Sequence, residues 1–378
     1  MQCKKIKVEN FRNIERAEVD FGPGVNLLLG DNAQGKTNLL EAISLMAIGK
    51  SFRGARDADL IRFGEDKATI ALDYCDHIRD MRLTATLMAG RRRKMEQNGL
   101  PVAKMSELIG GLRVVLFCPE HLSIIKSGPE LRRNFLDVAI SQLKPVYMSA
   151  LSRYNKILKE RNRLLKEASE NESARRVMED TIDVWSEQLA REGAIIARYR
   201  VQYIQKMRES ASVVFSDMTG GGEVPGFTYV GTAHLPHEED YLDSAKTEKA
   251  FLDLLTTSHA REIGAGYTLW GIHRDDIDIT LNGVCARLFA SQGQQRSLAL
   301  AMKLSEGEIC RESCSEHPVY LFDDVLSELD VGRRDYLTSR IRDKQVILTT
   351  CESETLFSLD DARMIRVENG TYSEMRDR

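Results

Sequence analysis

The segment from Val25 to Thr37 constrains this chain more than any other. The mainly apolar run Val25 to Leu29 leads directly into Gly30-Asp31-Asn32-Ala33-Gln34-Gly35-Lys36-Thr37, and Leu40, Ile43, Leu45, Ala47 and Ile48 follow at helical spacing. An apolar run of this length that stops at a glycine reads as a buried strand, and the spacing after it predicts a helix ending near Gly49. Strand, glycine loop, helix is the context in which G-x-x-x-x-G-K-[ST] acquires a mechanical meaning. Glycines let the backbone wrap close to a phosphate, and the loop N–H groups and the helix N-terminus point at the anion. In this reading Gly30, Asp31, Asn32, Ala33, Gln34 and Gly35 form the cradle. Lys36 reaches the β- and γ-phosphates of a nucleotide, and the Thr37 hydroxyl is a ligand for Mg²⁺.

Such a site needs an acid on a neighbouring strand. Val319-Tyr320-Leu321-Phe322 is the most apolar strand candidate near the C-terminus, and Asp323-Asp324 stand at its end. Asp323 is placed to hold Mg²⁺ through water, and Asp324, one step on, to orient or deprotonate an attacking water. A second glycine turn opens a helix at Ser291-Gln292-Gly293-Gln294-Gln295-Arg296, before an apolar stripe that predicts a helix over Ser297 to Cys310. One P-loop cannot use two phosphate-binding helix ends from within one face. Ser291, Gly293 and Gln294 are therefore expected to cap the γ-phosphate held by a second copy, the blander alternative being an ordinary N-capped helix.

The remaining chain changes character twice. Ala68 to Tyr74 and Met81 to Leu87 alternate apolar and polar residues, and Asn98-Gly99 signals a hairpin, which together predict an antiparallel meander. From about Glu130 to Met218 helical periodicity takes over. Tyr147, Leu151, Tyr154, Leu158, Arg161 and Leu165 form one heptad seam, and Met178, Ile182, Trp185 and Leu189 continue through Tyr203 as another. Two antiparallel helices with a turn in Glu167 to Ser173 account for both, the longer reaching about 60 Å at ~1.5 Å per residue. Strand and helix then alternate again from Tyr267 onward. The expected class is α/β, with a mixed-sheet head built from both chain ends and an inserted helical arm. The expected segments are 1–125 and 263–378 for the head and 126–262 for the arm.

Composition narrows the partners. A net charge of −4 excludes a wholly basic nucleic-acid binder, so any DNA contact is local. Two basic runs qualify, Arg91 to Lys94 and the helical set Lys156, Lys159, Arg161, Arg163 and Lys166; each taken alone reads as a solvated face. No apolar run approaches the roughly 18 residues a membrane span needs. Seven scattered cysteines form no disulfide framework and suit a reducing, cytoplasmic setting; Cys310 and Cys314 lie one helical turn apart, without the second pair a zinc site would need.

Taken together, the Walker A loop, the Ser291 loop, the Walker B pair and Ser327-Glu328-Leu329-Asp330 resemble the motif set of ABC ATPases. More narrowly, the chain resembles the bacterial RecF family of recombination mediators, a short-armed relative of the SMC-type ATPases. The words that carry this are Asn10-Phe11-Arg12-Asn13, Lys50-Ser51-Phe52-Arg53, Gly271-Ile272-His273-Arg274-Asp275-Asp276, Ala290 to Arg296 and Asp323 to Asp330. The resemblance implies a weak, DNA-stimulated ATPase that binds ATP and Mg²⁺ and forms a homodimer on ATP. It implies binding to DNA at single-strand gaps or junctions with duplex, cooperation with RecO and RecR in loading recombinase, and a part in the SOS response. By the same resemblance Arg12 and Asn13 lie near the adenine, Ser291 acts across the dimer, and Asp330 belongs to the D-loop.

Three departures from the wider ABC pattern sharpen the choice. Asp324 stands where most ABC ATPases carry glutamate, Thr349 and Thr350 occupy the place of the switch histidine, and Leu-Ser-Gly-Gly is replaced at the signature. Each points away from a transporter subunit. The arm, spanning only about 90 residues, is too short for the long coiled coil of a chromosome-organising SMC protein.

Overall fold

The computed structural model describes residues 1–351 and 362–375. The chain forms two compact units, one comprising 1–123, 217–221 and 296–378, the other 124–216 and 222–295. The first is thus assembled from both chain ends, and the second is the inserted material.

The first unit holds two six-stranded sheets. In the P-loop sheet the order is Thr371–Glu374, Arg363–Glu368, Val25–Leu29, Val346–Thr350, Val319–Asp323 and Val114–Phe117. All neighbours are parallel except the edge pair Arg363–Glu368 with Thr371–Glu374. Val319–Asp323 and Val346–Thr350 are buried at every residue, which is why they read as continuous apolar runs with no alternation. The edge hairpin is absent from the sequence expectations. Its signal is Asn369-Gly370, both with positive φ (49° and 76°), the pair a tight hairpin turn requires.

The other sheet is an antiparallel meander in the order Ile14–Asp20, Gln2–Phe11, Lys67–Cys75, Asp80–Met88, Lys94–Gln97, Leu100–Val102. Asn98 and Gly99, at φ 51° and 80°, make its last turn as expected. Ile6, Val8, Ile70, Leu72 and Leu83 from this sheet share one core with Leu28, Leu116, Leu321 and Ile347 from the P-loop sheet. Helix Lys36–Ile48 contributes Leu39, Leu40, Ile43 and Met46 to that core. A helix enclosed this way has no solvent face, which explains its near-continuous apolar sequence. Gly49, at φ 85°, ends it with an N–H donated to the Leu45 carbonyl.

The second unit contains the helices Pro129–Leu143, Pro145–Glu170, Ser244–Thr257 and His259–Ala265, most of Glu172–Thr219, and a small sheet. Both seams are buried at most of their positions, with Tyr147, Tyr154, Leu165, Met178, Ile182, Leu189 and Ile196 at most 1% exposed, while Leu151, Leu158, Trp185 and Tyr199 are half-buried. Helix Glu172–Thr219 runs 48 residues, about 72 Å at ~1.5 Å per residue, longer than the sequence estimate because nothing breaks it before Gly220. One member of the basic run does not belong to a solvated face. Arg161 is fully buried, paired with the equally buried Glu262 at 2.6 Å and donating to Thr268 Oγ1 at 2.8 Å.

The division between the units falls between Gln295 and Arg296, not at the expected 263. The segment from 263 onward is held by partners in the second unit. Asp276–Leu281 pairs along its whole length with Pro225–Val230, Arg132 forks onto Asp276 at 2.7 and 2.8 Å, and Tyr154 Oη meets His273 Nδ1 at 2.7 Å. The word Gly271 to Asp276 is largely structural here. A Cβ at Gly271 would lie 2.3 Å from Tyr154 Oη, and buried Asp275 accepts from the Thr232 N–H and hydroxyl at 2.8 Å each. Among the described residues no helix is long and apolar enough to cross a membrane.

Candidate active site

The strand register brings the chemistry to one edge. Leu29 lies opposite Thr350, and Thr349 opposite Asp323, so the P-loop and the acids emerge from the carboxyl ends of adjacent parallel strands. Ligands of open α/β sheets bind at this edge. A cleft of about 440 Å³ opens there, walled by Asn32 to Thr37 together with Asn13, Asn38, Arg53, Asp324, Thr349 and Cys351.

Both motif glycines have a steric reason. A Cβ at Gly30 would lie 2.2 Å from the Val367 carbonyl oxygen of the neighbouring strand, and Gly35 sits at φ 116° against Asn13 and Tyr372. Ala33 also has positive φ, at 64°. The C-terminal hairpin fixes this loop. Tyr372 Oη donates to the Gly35 carbonyl at 2.9 Å, Gly370 N–H to the Gln34 carbonyl at 2.9 Å, and Asn369 N–H to Gln34 Oε1 at 2.6 Å. Lys36 is almost fully buried, and its ammonium donates to the Gly30 and Asp31 carbonyls and to Cys351 Sγ. These acceptors are neutral. The same ammonium is free to exchange carbonyls for phosphate oxygens, a charge-assisted and stronger contact.

Across the cleft, Thr37 Oγ1 donates to Asp323 Oδ1 at 2.7 Å. Thr349 Oγ1 donates to the same oxygen at 2.9 Å and accepts the Asp324 N–H at 2.9 Å. One threonine hydroxyl thus ties both acids together. Burial pushes the Asp323 carboxyl above its ordinary range; the Thr37 and Thr349 hydroxyls oppose this, while repulsion from Asp324 and Glu120 adds to it. A carboxylate so placed is stabilised by a cation. Its neighbours are hard oxygen donors, the set that suits Mg²⁺, which takes one or two protein oxygens and completes its shell with water and phosphate. Asp324 has φ 51°, a left-handed conformation costly for a residue with a Cβ and best tolerated by Asp and Asn. Glu120, in the first turn of the short helix Pro119–Leu122 after Val114–Phe117, is a member of this acid group that the sequence reading missed. The Pro119 stop after an apolar strand was the available signal.

The two words flanking the P-loop form a brace behind it. Glu41, fully buried on helix Lys36–Ile48, accepts a fork from Arg12 Nε and Nη2 at 2.9 and 3.0 Å and a hydrogen bond from the Ser51 hydroxyl. Arg12 Nη1 also donates to the Asp59 carbonyl at 3.0 Å. The guanidinium is therefore held against the protein, and Asn13 and Arg53 are the members of these words on the cleft wall. Asn13 Nδ2 reaches the Ala33 carbonyl at 3.1 Å, and Asn38 Nδ2 reaches Asn13 Oδ1 at 2.7 Å.

Ser291, Gly293 and Gln294 belong to the second unit. Ser291 Oγ accepts from Gln294 N–H at 3.3 Å while Gln294 Oε1 accepts from Ser291 N–H at 2.7 Å, a reciprocal capping box on helix Gln292–Cys314. The blander role is thus filled within this chain, and the exposed hydroxyl keeps its proton to donate. Asp330 caps helix Val331–Ile341 by accepting from Arg333 N–H at 3.0 Å.

A P-loop and an acid pair at the carboxyl edge of a mixed sheet, in a head made from both chain ends, define an ABC-type ATPase fold. The RecF/RecN/SMC N terminal domain family matches residues 2–373. The DNA replication and repair protein RecF of Clostridium acetobutylicum is 37% identical over 376 residues, covering 99% of this chain and 100% of that one. A solved structure of the recombination mediator protein RecF-ATP in the RecFOR pathway superposes with TM-score 0.88 at 33% identity, covering 99% of this chain and 97% of that one. An SMC head bound to the C-winged helix domain of ScpA shares the fold at TM-score 0.58 and 16% identity, covering 99% and 97%. The chain belongs to the RecF family of DNA replication and repair proteins.

Proposed function

We propose that this protein is a slow, DNA-stimulated ATPase that closes as a homodimer on ATP and Mg²⁺, holds DNA at single-strand gaps or junctions with duplex, and opens on hydrolysis. The observation that carries the reading is a pair of buried charges at one sheet edge, Lys36 on the cleft wall and Asp323 hydrogen-bonded to the wall residues Thr37 and Thr349. Among the described residues Lys36 has only carbonyl and thiol partners and Asp323 only hydroxyls, and binding a nucleotide with its cation would satisfy both at once. In this mechanism Gly30 to Gly35 direct N–H groups at the phosphates and Lys36 neutralises the β- and γ-oxygens. Thr37 and Asp323 hold Mg²⁺, which when bound supplies charge to the phosphate oxygens. Asp324 orients the attacking water and accepts its proton; its short side chain keeps turnover slow. Asn13, with Arg12 braced behind it, faces the base.

Each copy supplies half of each site, with Ser291, Gly293, Gln294 and Asp330 meeting the nucleotide held by the other copy. The flanks of these residues support this: Leu288 and Phe289 before Ser291 are 66% and 73% exposed, and Val331 after Asp330 is 70% exposed. Burying the adjacent Leu288 and Phe289 against a second copy would remove the larger of these exposed apolar faces from water. The unit made of 1–123, 217–221 and 296–378 then acts as the nucleotide-driven part, and the inserted unit, 124–216 with 222–295, as the DNA-facing part. By its relationship to the RecFOR-pathway protein, the chain works with RecO and RecR in loading recombinase and serves the SOS response. Seven free cysteines suit a cytoplasmic setting.

Sedimentation of Ser291→Arg tests the half-site. The variant is expected to bind ATP like the wild type but to stay monomeric with ATP and Mg²⁺. An ATP-dependent dimer of Ser291→Arg would remove the cross-copy role.

A further inference from the structure

Helix Pro145–Glu170 exposes Lys156, Lys159, Arg163 and Lys166, spaced three, four and three residues apart. At about 100° per residue these fall within a stripe roughly 80° wide, while Arg161, which interrupts the run in sequence, faces the buried seam. The stripe continues beyond the helix. Asn162, at its margin, accepts Thr268 N–H and Oγ1 at 2.8 and 2.7 Å, and a Cβ at Gly266 would lie 3.9 Å from Lys166 Cα. The segment 266–274 therefore runs alongside and adds exposed Arg274, whose guanidinium lies 5.2 Å from the Tyr267 ring centroid. Arg163 is occupied by Glu160 and Glu167 at 3.1 and 3.6 Å. Among the described residues, Lys156, Lys159, Lys166 and Arg274 form no ion pair. In a chain of net charge −4, three lysines outside any ion pair among the described residues gather on one helix face with Arg274 beside it, while Glu170 shares that face and Glu160 and Glu167 answer Arg163.

We infer that this stripe is a contact surface for the phosphodiester backbone of duplex DNA. The inference rests on the DNA-binding reading above and assigns it a place. From Lys156 to Lys166 the stripe spans about 15 Å, a length over which duplex DNA carries about nine phosphate charges. Single-strand binding instead stacks bases on open aromatic faces along a basic track. The ring beside this stripe, Tyr267, already carries Arg274 over its face, so the surface offers charge and no stacking platform.

The test is a salt titration of binding by the full chain, with ATP and Mg²⁺, to a blunt duplex and to an oligo-dT of equal length. It compares the wild type with the triple variant Lys156→Gln, Lys159→Gln, Lys166→Gln. The triple variant is expected to lose at least ~10-fold in duplex affinity, and its log K against log salt slope should fall by about 2 to 3, near 0.9 per phosphate contact. ATP-dependent sedimentation and ATP hydrolysis without DNA should be unchanged, which shows that the variant is folded. If the wild type itself shows no salt-dependent affinity for duplex, the DNA reading fails and the assignment falls with it. If the wild type binds and the triple variant keeps the same slope, DNA binding stands and the stripe assignment is overturned. A loss confined to oligo-dT, or an unchanged duplex slope with loss of binding to an acidic protein partner, also overturns it.

Discussion

In the second unit Arg161 and Glu262 are both fully buried and hold one another at 2.6 Å, and Arg200, 1% exposed, meets Asp137 at 2.9 Å. In the first unit Lys36 and Asp323, 6% and 7% exposed, meet no opposite charge within ion-pair distance among the described residues. The first arrangement is structural. Desolvation of each ion is offset by its partner, and the remaining donors are used: Arg161 also reaches Thr268, and Glu262 Oε1 accepts Leu269 N–H at 2.8 Å. The second arrangement is the one that the proposed nucleotide and its cation would answer. The same distinction holds inside the first unit, where buried Glu41 is forked by Arg12 and buried Lys303 pairs with Glu306; those charges brace the fold. In these pairs a buried charge answered by a charge braces the fold, while Lys36 and Asp323 are answered only by neutral dipoles at the candidate site; neutral answers alone do not define a site, since buried Asp275 is held by Tyr229 and Thr232 as part of the second unit's scaffold.

Lys36→Met is the strongest way to break that comparison. The substitution keeps most of the side-chain volume and removes a buried cation that no carboxylate answers. Isothermal titration should show ATP affinity reduced by at least ~100-fold, because a charge-assisted phosphate contact is lost. Thermal unfolding should show stability unchanged or raised, since an uncompensated desolvated charge has gone. A clear drop in melting temperature would mean that Lys36 is scaffold. Arg161→Met is the mirror case. It strands Glu262 in the interior and should lower unfolding stability by about 3–5 kcal/mol, with no direct loss of ATP affinity at temperatures where the chain is folded. Equal stability of Arg161→Met and wild type would break the comparison from the other side.

How much of this was legible follows the same line. The placement of the P-loop and of Asp323 and Asp324 at the ends of strands in one sheet was readable because their residue types and spacing stand next to elements with strong periodicity. The heptad seams were readable because Tyr147, Tyr154 and Leu165 are buried at the period that sequence shows. Arg161 was only half readable: it sits on the seam, but nothing local reveals Glu262, 101 residues away in the chain. The C-terminal hairpin escaped because its alternation is short and partly exposed, although Asn369-Gly370 marked it. Its consequence, Tyr372 and Gly370 holding Gly35 and Gln34, depends on pairing with a strand more than 330 residues away, which spacing cannot show. The boundary at 295 was hidden for a similar reason, since Asp276–Leu281 is drawn to Pro225–Val230 and not to the head sheets.

Thr349→Val sharpens the comparison at its finest point, because Thr349 is the neutral group that answers the buried Asp323. Its hydroxyl donates to Asp323 and accepts from Asp324, whose left-handed backbone needs that anchor. Valine keeps the shape and the β-branch and deletes both hydrogen bonds. ATP affinity should change little, because the phosphate cradle and Lys36 are intact, while kcat should fall by about 10-fold, the worth of one hydrogen bond to a charged group. The pH profile separates positioning from packing. Burial already raises the Asp323 pKa, and the Thr349 hydroxyl is one of two groups holding it down. Without that hydroxyl the carboxylate ionises at higher pH, so the acidic limb of kcat should move upward in Thr349→Val. Thr349→Ser keeps the hydroxyl and loses only a methyl, and should restore both the rate and the limb. A limb that stays in place in Thr349→Val, or a serine variant as slow as the valine one, would reduce Thr349 to a packing residue and leave Asp323 answered by Thr37 alone.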